Sequence, residues 1–210
     1  MFRDRKDAGE RLAEKLAGYR GQAATLLLAL PRGGVPVAAA AARVLALPVD
    51  VLPVHKIGAP SEPELAVGAV AADGLVVLDE ETIATMYISR AALEAVIAEQ
   101  RKELLRRERL YRGDRAPLKV EGQKVILIDD GLATGYTMLA AARAVRQLRP
   151  ARVVVAVPVA PKETLDRLAA EADEVVCVLV PSRLVAVGQF YQDFSQVSDA
   201  EVQEILRSSE

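Results

Sequence analysis

Residues 125–137, VILIDDGLATGYT, place two carboxylates, Asp129 and Asp130, directly after a run of four apolar residues. A loop of small and hydroxyl-bearing residues follows: Gly131, Leu132, Ala133, Thr134, Gly135, Tyr136 and Thr137. Ionised carboxylates only accept hydrogen bonds, so the pair suits a ligand that presents donors such as neighbouring hydroxyls. Small side chains leave backbone N–H groups open to approach, and Thr134 and Thr137 add hydroxyl donors. Those amides would stand at the start of the next helix, where unpaired N–H groups and the helix dipole attract an anion. A ribose 5-phosphate has both features, two vicinal hydroxyls for the acids and a phosphate for the loop. The acid pair would also stabilise a cation nearby, either Mg2+ or a sugar ring gaining positive charge. The plainer alternative is that Asp129 and Asp130 only cap the helix.

Other chemistries find little support. A P-loop needs a lysine where Tyr136 stands, and no G-x-G-x-x-G dinucleotide pattern occurs. The single histidine, His55, cannot make a metal site and has no evident Ser or Cys partner. One cysteine, Cys177, excludes an internal disulfide, and its apolar surroundings (EVVCVLV) read as a buried thiol. A net charge of −2 gives the chain no basic field for nucleic acid, and no stretch matches a membrane span. The charged N-terminus lacks the apolar core of a signal peptide, so a cytoplasmic protein is expected.

The elements that must position the acids alternate in type. A helix is expected over 4–18, a buried strand over 24–30, an Ala-rich helix over 35–47 and a strand over 49–54. Two prolines and a glycine in 56–65 predict an irregular loop, and 67–79 reads as a hairpin turning at Asp73-Gly74. One long helix is expected over 80–112, stopped by Gly113. Strands at 124–129, 152–157 and 174–180 alternate with helices ending at Pro150 and starting after Pro161. A last short amphipathic helix ends the tail 181–210. The expected fold class is α/β, a doubly wound parallel sheet with helices on both faces. A single domain is expected: core about 20–180, helical insertion about 80–115, and a small hood from the N-terminus and 181–210.

A hydrophobic strand, two acids and then GLATGYT resembles the phosphoribosyl-pyrophosphate (PRPP) motif of type I phosphoribosyltransferases. The wider pattern PRGGVPVA, KIGAP, PELAVGAVA, DDGLATG and VGQFYQDFSQ resembles a bacterial group of that family over nearly the whole chain. The resemblance implies that Asp129 and Asp130 take the ribose hydroxyls. The loop from Gly131 and Leu132 through Ala133, Thr134, Gly135, Tyr136 and Thr137 would take the 5-phosphate. It also implies Mg2+ as cofactor, held through PRPP with Asp129 or Asp130 as candidate protein contacts, and a homodimer.

Such a reaction needs a second anion site for the leaving pyrophosphate. LPRGG (30–34) follows the first strand; Gly33 and Gly34 allow close backbone approach, and Arg32 can pair with phosphate oxygens. By resemblance this is the pyrophosphate loop, which in the family often holds a strained peptide bond. Lys56 is expected at the base of a mobile loop that closes over pyrophosphate. Glu62 and Glu64 share that loop without an assigned role.

The tail carries Phe190, Tyr191 and Phe194, three of the chain's eight aromatics. They either pin the tail to the core or stack a planar base, with Asp193 reading its edge. The base-binding candidates are therefore Phe190, Tyr191 and Asp193. Ala133 stands where the hypoxanthine-guanine enzymes carry an Asp, as in the adenine, uracil and orotate types. The helix end 101–115 holds seven basic and three acidic residues and reads mainly as a solvated face. The expected activity is transfer of the 5-phosphoribosyl group from PRPP to a nitrogen acceptor, a purine or pyrimidine base, with Arg32, Lys56, Asp129 and Asp130 as catalytic residues. The alternatives are a PRPP- or nucleotide-sensing regulator on the same fold, or hydrolysis or phosphorolysis of a ribose phosphate.

Overall fold

In the computed structural model, residues 1–71, 76–113 and 118–209 are described. Five parallel strands form the central sheet: β1 (Thr25–Ala29), β2 (Val49–Val51), β6 (Lys124–Ile128), β7 (Arg152–Val159) and β8 (Glu174–Leu179). Their order across it is β2-β1-β6-β7-β8. The middle strands are apolar at nearly every position because both faces are covered. Leu27, Ala29, Ile126, Ile128, Val154 and Ala156 point toward α1 (Arg5–Lys15), α2 (Gly34–Leu45) and α7 (Asp199–Ser208). Leu28, Val125, Leu127, Val153, Val155 and Val157 face α5 (Tyr136–Gln147) and α6 (Lys162–Leu168). The expected parallel sheet with helices on both faces is the fold observed.

A second sheet of three antiparallel strands, β3 (Val54–Ala59), β4 (Glu62–Ala71) and β5 (Val76–Leu78), lies over α5. Its other face packs Ile57, Ala59, Val67 and Val70 against Leu93 and Leu104 of α4 (Arg90–Arg112). Three expectations change here. Residues 56–65 are not an irregular loop but two paired strands, because Pro60 falls in the connecting turn and Pro63 sits at a bulge. There the register shifts around Gly58, where a β-carbon would lie 2.3 Å from the Pro63 carbonyl oxygen. The expected strand 49–54 breaks at Leu52-Pro53, and the chain crosses from one sheet to the other. The single helix over 80–112 is two, α3 (Glu80–Thr85) and α4, because Ser89 caps a new start by accepting from the Ala92 amide. Gly113 ends α4 as expected. The Asp73-Gly74 turn lies outside the described residues.

The two ends of the chain meet. Phe2 bridges to Tyr191, its amide donating to the Phe190 carbonyl at 2.7 Å while the Gln192 amide donates back to Phe2 at 2.8 Å. The α4 end is anchored by Arg112, buried and paired with Asp50 of β2 at 3.2 Å. Much of the basic run 101–113 is answered locally, with Arg106 and Arg107 both donating to Glu103.

Candidate active site

Asp129 and Asp130 follow the last residue of β6, at the carboxyl edge of the parallel sheet where open α/β folds bind ligands. Both are partly buried. The Asp130 amide donates to Asp129 Oδ1 at 2.8 Å, and Arg5 Nε donates to Asp130 Oδ2 at 2.8 Å. One oxygen of each carboxylate is thereby engaged. Among the described residues the other oxygens, Asp129 Oδ2 and Asp130 Oδ1, have no hydrogen-bond partner, and neither is sealed from solvent. Burial and the Asp130 charge push Asp129 well above the ordinary carboxylate range. Burial also raises Asp130, while the Arg5 guanidinium opposes that rise.

The next five residues form the turn into α5. Thr164 Oγ1 of α6 donates to the Ala133 carbonyl at 2.7 Å, and Arg167 Nη1 donates to the Thr134 carbonyl at 2.9 Å. In a trans peptide the carbonyl and the following N–H point in opposite directions. Drawing these carbonyls toward α6 therefore turns the Thr134 and Gly135 amides away from it. Gly135 has a positive φ of 75°, and a β-carbon there would stand 2.4 Å from Thr164 Cγ2. Among the described residues no group accepts from the amides of Ala133, Thr134, Gly135, Tyr136 or Thr137. Together with the N-terminus of the 12-residue α5 they can hold an anion.

LPRGG lies directly against the acids. A β-carbon on Gly33 would fall 2.0 Å from Asp130 Oδ2, and one on Gly34 would fall 2.6 Å from the Ile128 carbonyl oxygen. The Pro31–Arg32 peptide is cis. Arg32 reaches Asp199 at the start of α7, at 3.9 Å, where Tyr111 also donates to the same carboxylate oxygen at 2.6 Å. Gly33 is thus packed against Asp130, while Gly34 is buried against the Ile128 and Asp129 backbone with its amide donating to the Leu30 carbonyl at 3.1 Å.

Other candidates stand differently. Lys56 is in β3, paired with Ala69, rather than at the base of a loop. Tyr191 is buried between Phe2 and Phe194, at 5.2 and 4.9 Å between ring centres, and its hydroxyl donates to the Asp130 carbonyl at 2.5 Å. Asp193 accepts from the Ser195 amide at 2.9 Å, which holds its carboxyl below the ordinary range. Phe190 is half-buried against the same cluster. A cleft of about 810 Å³ flanks the loop on its α6 side, walled by Thr134, Tyr136, Arg167, Pro181, Arg183 and Leu184. Neither the acids nor Phe190, Tyr191 and Asp193 line it. His55 is tied to Gln100 at 3.0 Å, with its pKa lowered by burial, and Cys177 is partly buried with its thiol raised by burial. Arg5, Thr164 and Arg167 had no signal in the sequence, since each meets the site from an element distant along the chain.

The chain therefore has a parallel α/β sheet with an acid pair and a turn of open amides at its carboxyl edge. The chain belongs to the phosphoribosyl transferase family, whose domain model matches residues 3–194. Proteins of two Mycobacterium tuberculosis strains, provisionally named phosphoribosyl transferase, are 45% identical to it over 202 residues. That match covers 96% of this chain and 45% of theirs, so the chain spans about half the length of these relatives. The crystal structure of TT1426 from Thermus thermophilus is 47% identical, with a TM-score of 0.90 over 99% of this chain and 98% of that one. No helix of the described residues is long and apolar enough to cross a membrane.

Proposed function

We propose that the chain is a Mg2+-dependent phosphoribosyltransferase that moves the 5-phosphoribosyl group of PRPP to a nitrogen of a purine or pyrimidine base. The carrying observation is the pairing of two open carboxylate oxygens with five open amides at the start of α5. The amides and the threonine hydroxyls hold the 5-phosphate, and Asp129 and Asp130 accept from the ribose hydroxyls. The C1–oxygen bond to pyrophosphate breaks with its electron pair leaving on pyrophosphate, and the acceptor nitrogen bonds to C1. Its proton passes to water or to a substrate phosphate. Positive charge that develops on the ring lies near Asp129 and Asp130, so catalysis is mainly positioning and electrostatics. Arg32 and the amide of Gly33 receive the pyrophosphate, with Lys56 in support; the Gly34 amide is held by the Leu30 carbonyl at 3.1 Å.

The donor set fits Mg2+. Among the described residues no group of three or more His, Cys, Asp or Glu could cage a metal, whereas Mg2+ commonly takes one or two carboxylates and completes its shell with water and phosphate. It would be held through PRPP, with Asp129 or Asp130 as the candidate protein contact, and it would neutralise pyrophosphate charge. Phe190 is the base-binding candidate whose ring is only half-buried. The protein acts as a cytoplasmic homodimer in this reading.

The test is pyrophosphate release from PRPP and Mg2+ with adenine, guanine, hypoxanthine, xanthine, uracil and orotate supplied singly. Release with one base supports the transferase and names its acceptor. PRPP binding without release for any base would favour a sensing protein on the same fold.

A further inference from the structure

Arg5 is the first residue of α1, after Asp4, whose side chain caps the helix by accepting from the Asp7 amide. Its side chain runs back into the acid pair and is only 11% exposed. Three contacts fix the guanidinium. Nε donates to Asp130 Oδ2 at 2.8 Å, Nη1 donates to the Ser195 carbonyl at 2.7 Å, and the plane lies over the Phe194 ring with its central carbon 3.9 Å from the ring centre. Among the described residues, it is the one cationic group bonded to either acid of the pair.

The geometry points to Arg5 as a positioning residue for sugar recognition: it clamps one oxygen of Asp130 so that the other is presented to a ribose hydroxyl. This rests on the sugar-phosphate reading above. Asp130 Oδ2 sits between the guanidinium and Gly33, which has no space for a β-carbon, so the carboxylate cannot turn that oxygen toward a ligand without breaking the pair. What remains for the ligand is Oδ1. The clamp also offsets the repulsion between two adjacent carboxylates in a partly buried setting, where an unanswered charge is costly. A lysine could supply the charge but not the geometry. A guanidinium holds its donors in one fixed plane toward the carboxylate and the carbonyl, with its face free for the ring. The flexible point charge of an ammonium does not fix that arrangement. The Ser195 and Phe194 contacts, together with Tyr191 on the Asp130 carbonyl, make the tail the outer support of the ribose site.

The experiment separates the sugar hydroxyls from the phosphate. Ribose 5-phosphate and 2,3-dideoxyribose 5-phosphate are titrated calorimetrically into wild type, R5Q and R5K, and the ratio of the two Kd values is read for each. Wild type is expected to prefer the intact ribose. R5Q should lose about tenfold of that preference while its affinity for the dideoxy sugar stays the same, an interaction term that isolates the hydroxyl contact. R5K should fall between them. A general loosening of the fold would weaken both sugars alike and leave the ratio unchanged, which would overturn the assignment. Tighter ribose binding by R5Q would also overturn it, making Arg5 a competitor for Asp130. If R5Q does not fold, R5K alone decides, because a full wild-type ratio in R5K removes the need for a guanidinium. A wild type that binds neither sugar, or binds both equally, instead defeats the sugar-phosphate reading itself.

Discussion

Gly33 approaches Asp130 so closely that a β-carbon on the glycine would stand 2.0 Å from Asp130 Oδ2 and 2.6 Å from its carboxyl carbon. The φ of Gly33 is −61°, which any residue adopts, so the glycine is required by space and not by backbone conformation. Gly33→Ala should therefore displace the Asp130 carboxylate, a side chain that can move. The expected cost is about 1–3 kcal/mol of stability, with ribose 5-phosphate affinity falling tenfold or more. Gly34→Ala meets backbone instead, the Ile128 carbonyl at 2.6 Å and Asp129 Cα at 2.9 Å. It should lower stability more than Gly33→Ala does. Denaturant melts and calorimetric titration of both variants check the order; equal stability losses would contradict it.

How far the sequence reveals this site depends on distance along the chain. Asp129, Asp130 and the loop to Thr137 are contiguous, so strand, acids and turn can be read from local pattern alone. The central strands are legible for the same reason, as short apolar runs between helices. Arg5 is not, because the partner it bonds lies 125 residues away and nothing near it marks an inward arginine. The hairpin of β3 and β4 is hidden by its prolines, which signal a loop until Gly58 and the bulge are seen to accommodate Pro63. The break between α3 and α4 is masked by helical periodicity that runs through the Ser89 cap.

Asp130→Asn keeps the shape of the side chain but exchanges a charged acceptor for an amide. The amide pairs less strongly with Arg5 and with a ribose hydroxyl, since charge-assisted hydrogen bonds are roughly twice as strong as neutral ones. Relief of repulsion with Asp129 offsets part of the lost Arg5 pair. Ribose 5-phosphate should bind at least about tenfold more weakly, with the melting temperature nearly unchanged. Unaltered affinity in an intact fold would remove Asp130 from the ribose site.

Tyr191 and Phe190 are neighbours with different expected roles. The Tyr191 hydroxyl donates to the Asp130 carbonyl, and its ring packs between Phe2 and Phe194. Tyr191→Phe leaves that carbonyl without its donor and should cost about 1–3 kcal/mol of stability, with acceptor specificity unchanged. Phe190→Ala should weaken binding of the acceptor base more than binding of PRPP. Titrating each ligand separately checks both statements, and equal weakening of the two ligands would mean the Phe190 ring only packs.

Asp79 gives the small sheet and its helix a pH-dependent anchor. Its carboxylate accepts from the Thr82 amide at 3.0 Å, capping α3, and lies 3.7 Å from Arg143 of α5. The Thr82 amide, more than Arg143, holds its pKa below the ordinary 3.8. An acid whose folded pKa is depressed binds protons less readily folded than unfolded, so its stabilisation is complete above 3.8 and disappears as pH falls through the lower folded value. Asp79→Ala should therefore cost about 1 kcal/mol at neutral pH, a typical cap loss. The gap from wild type should close in acid, once the wild-type carboxylate is protonated as well. Denaturant titrations of both proteins from neutral pH into acid measure that gap directly. A gap that stays constant across the range would mean that Asp79 acts through shape and packing alone, and not through its charge at the start of α3.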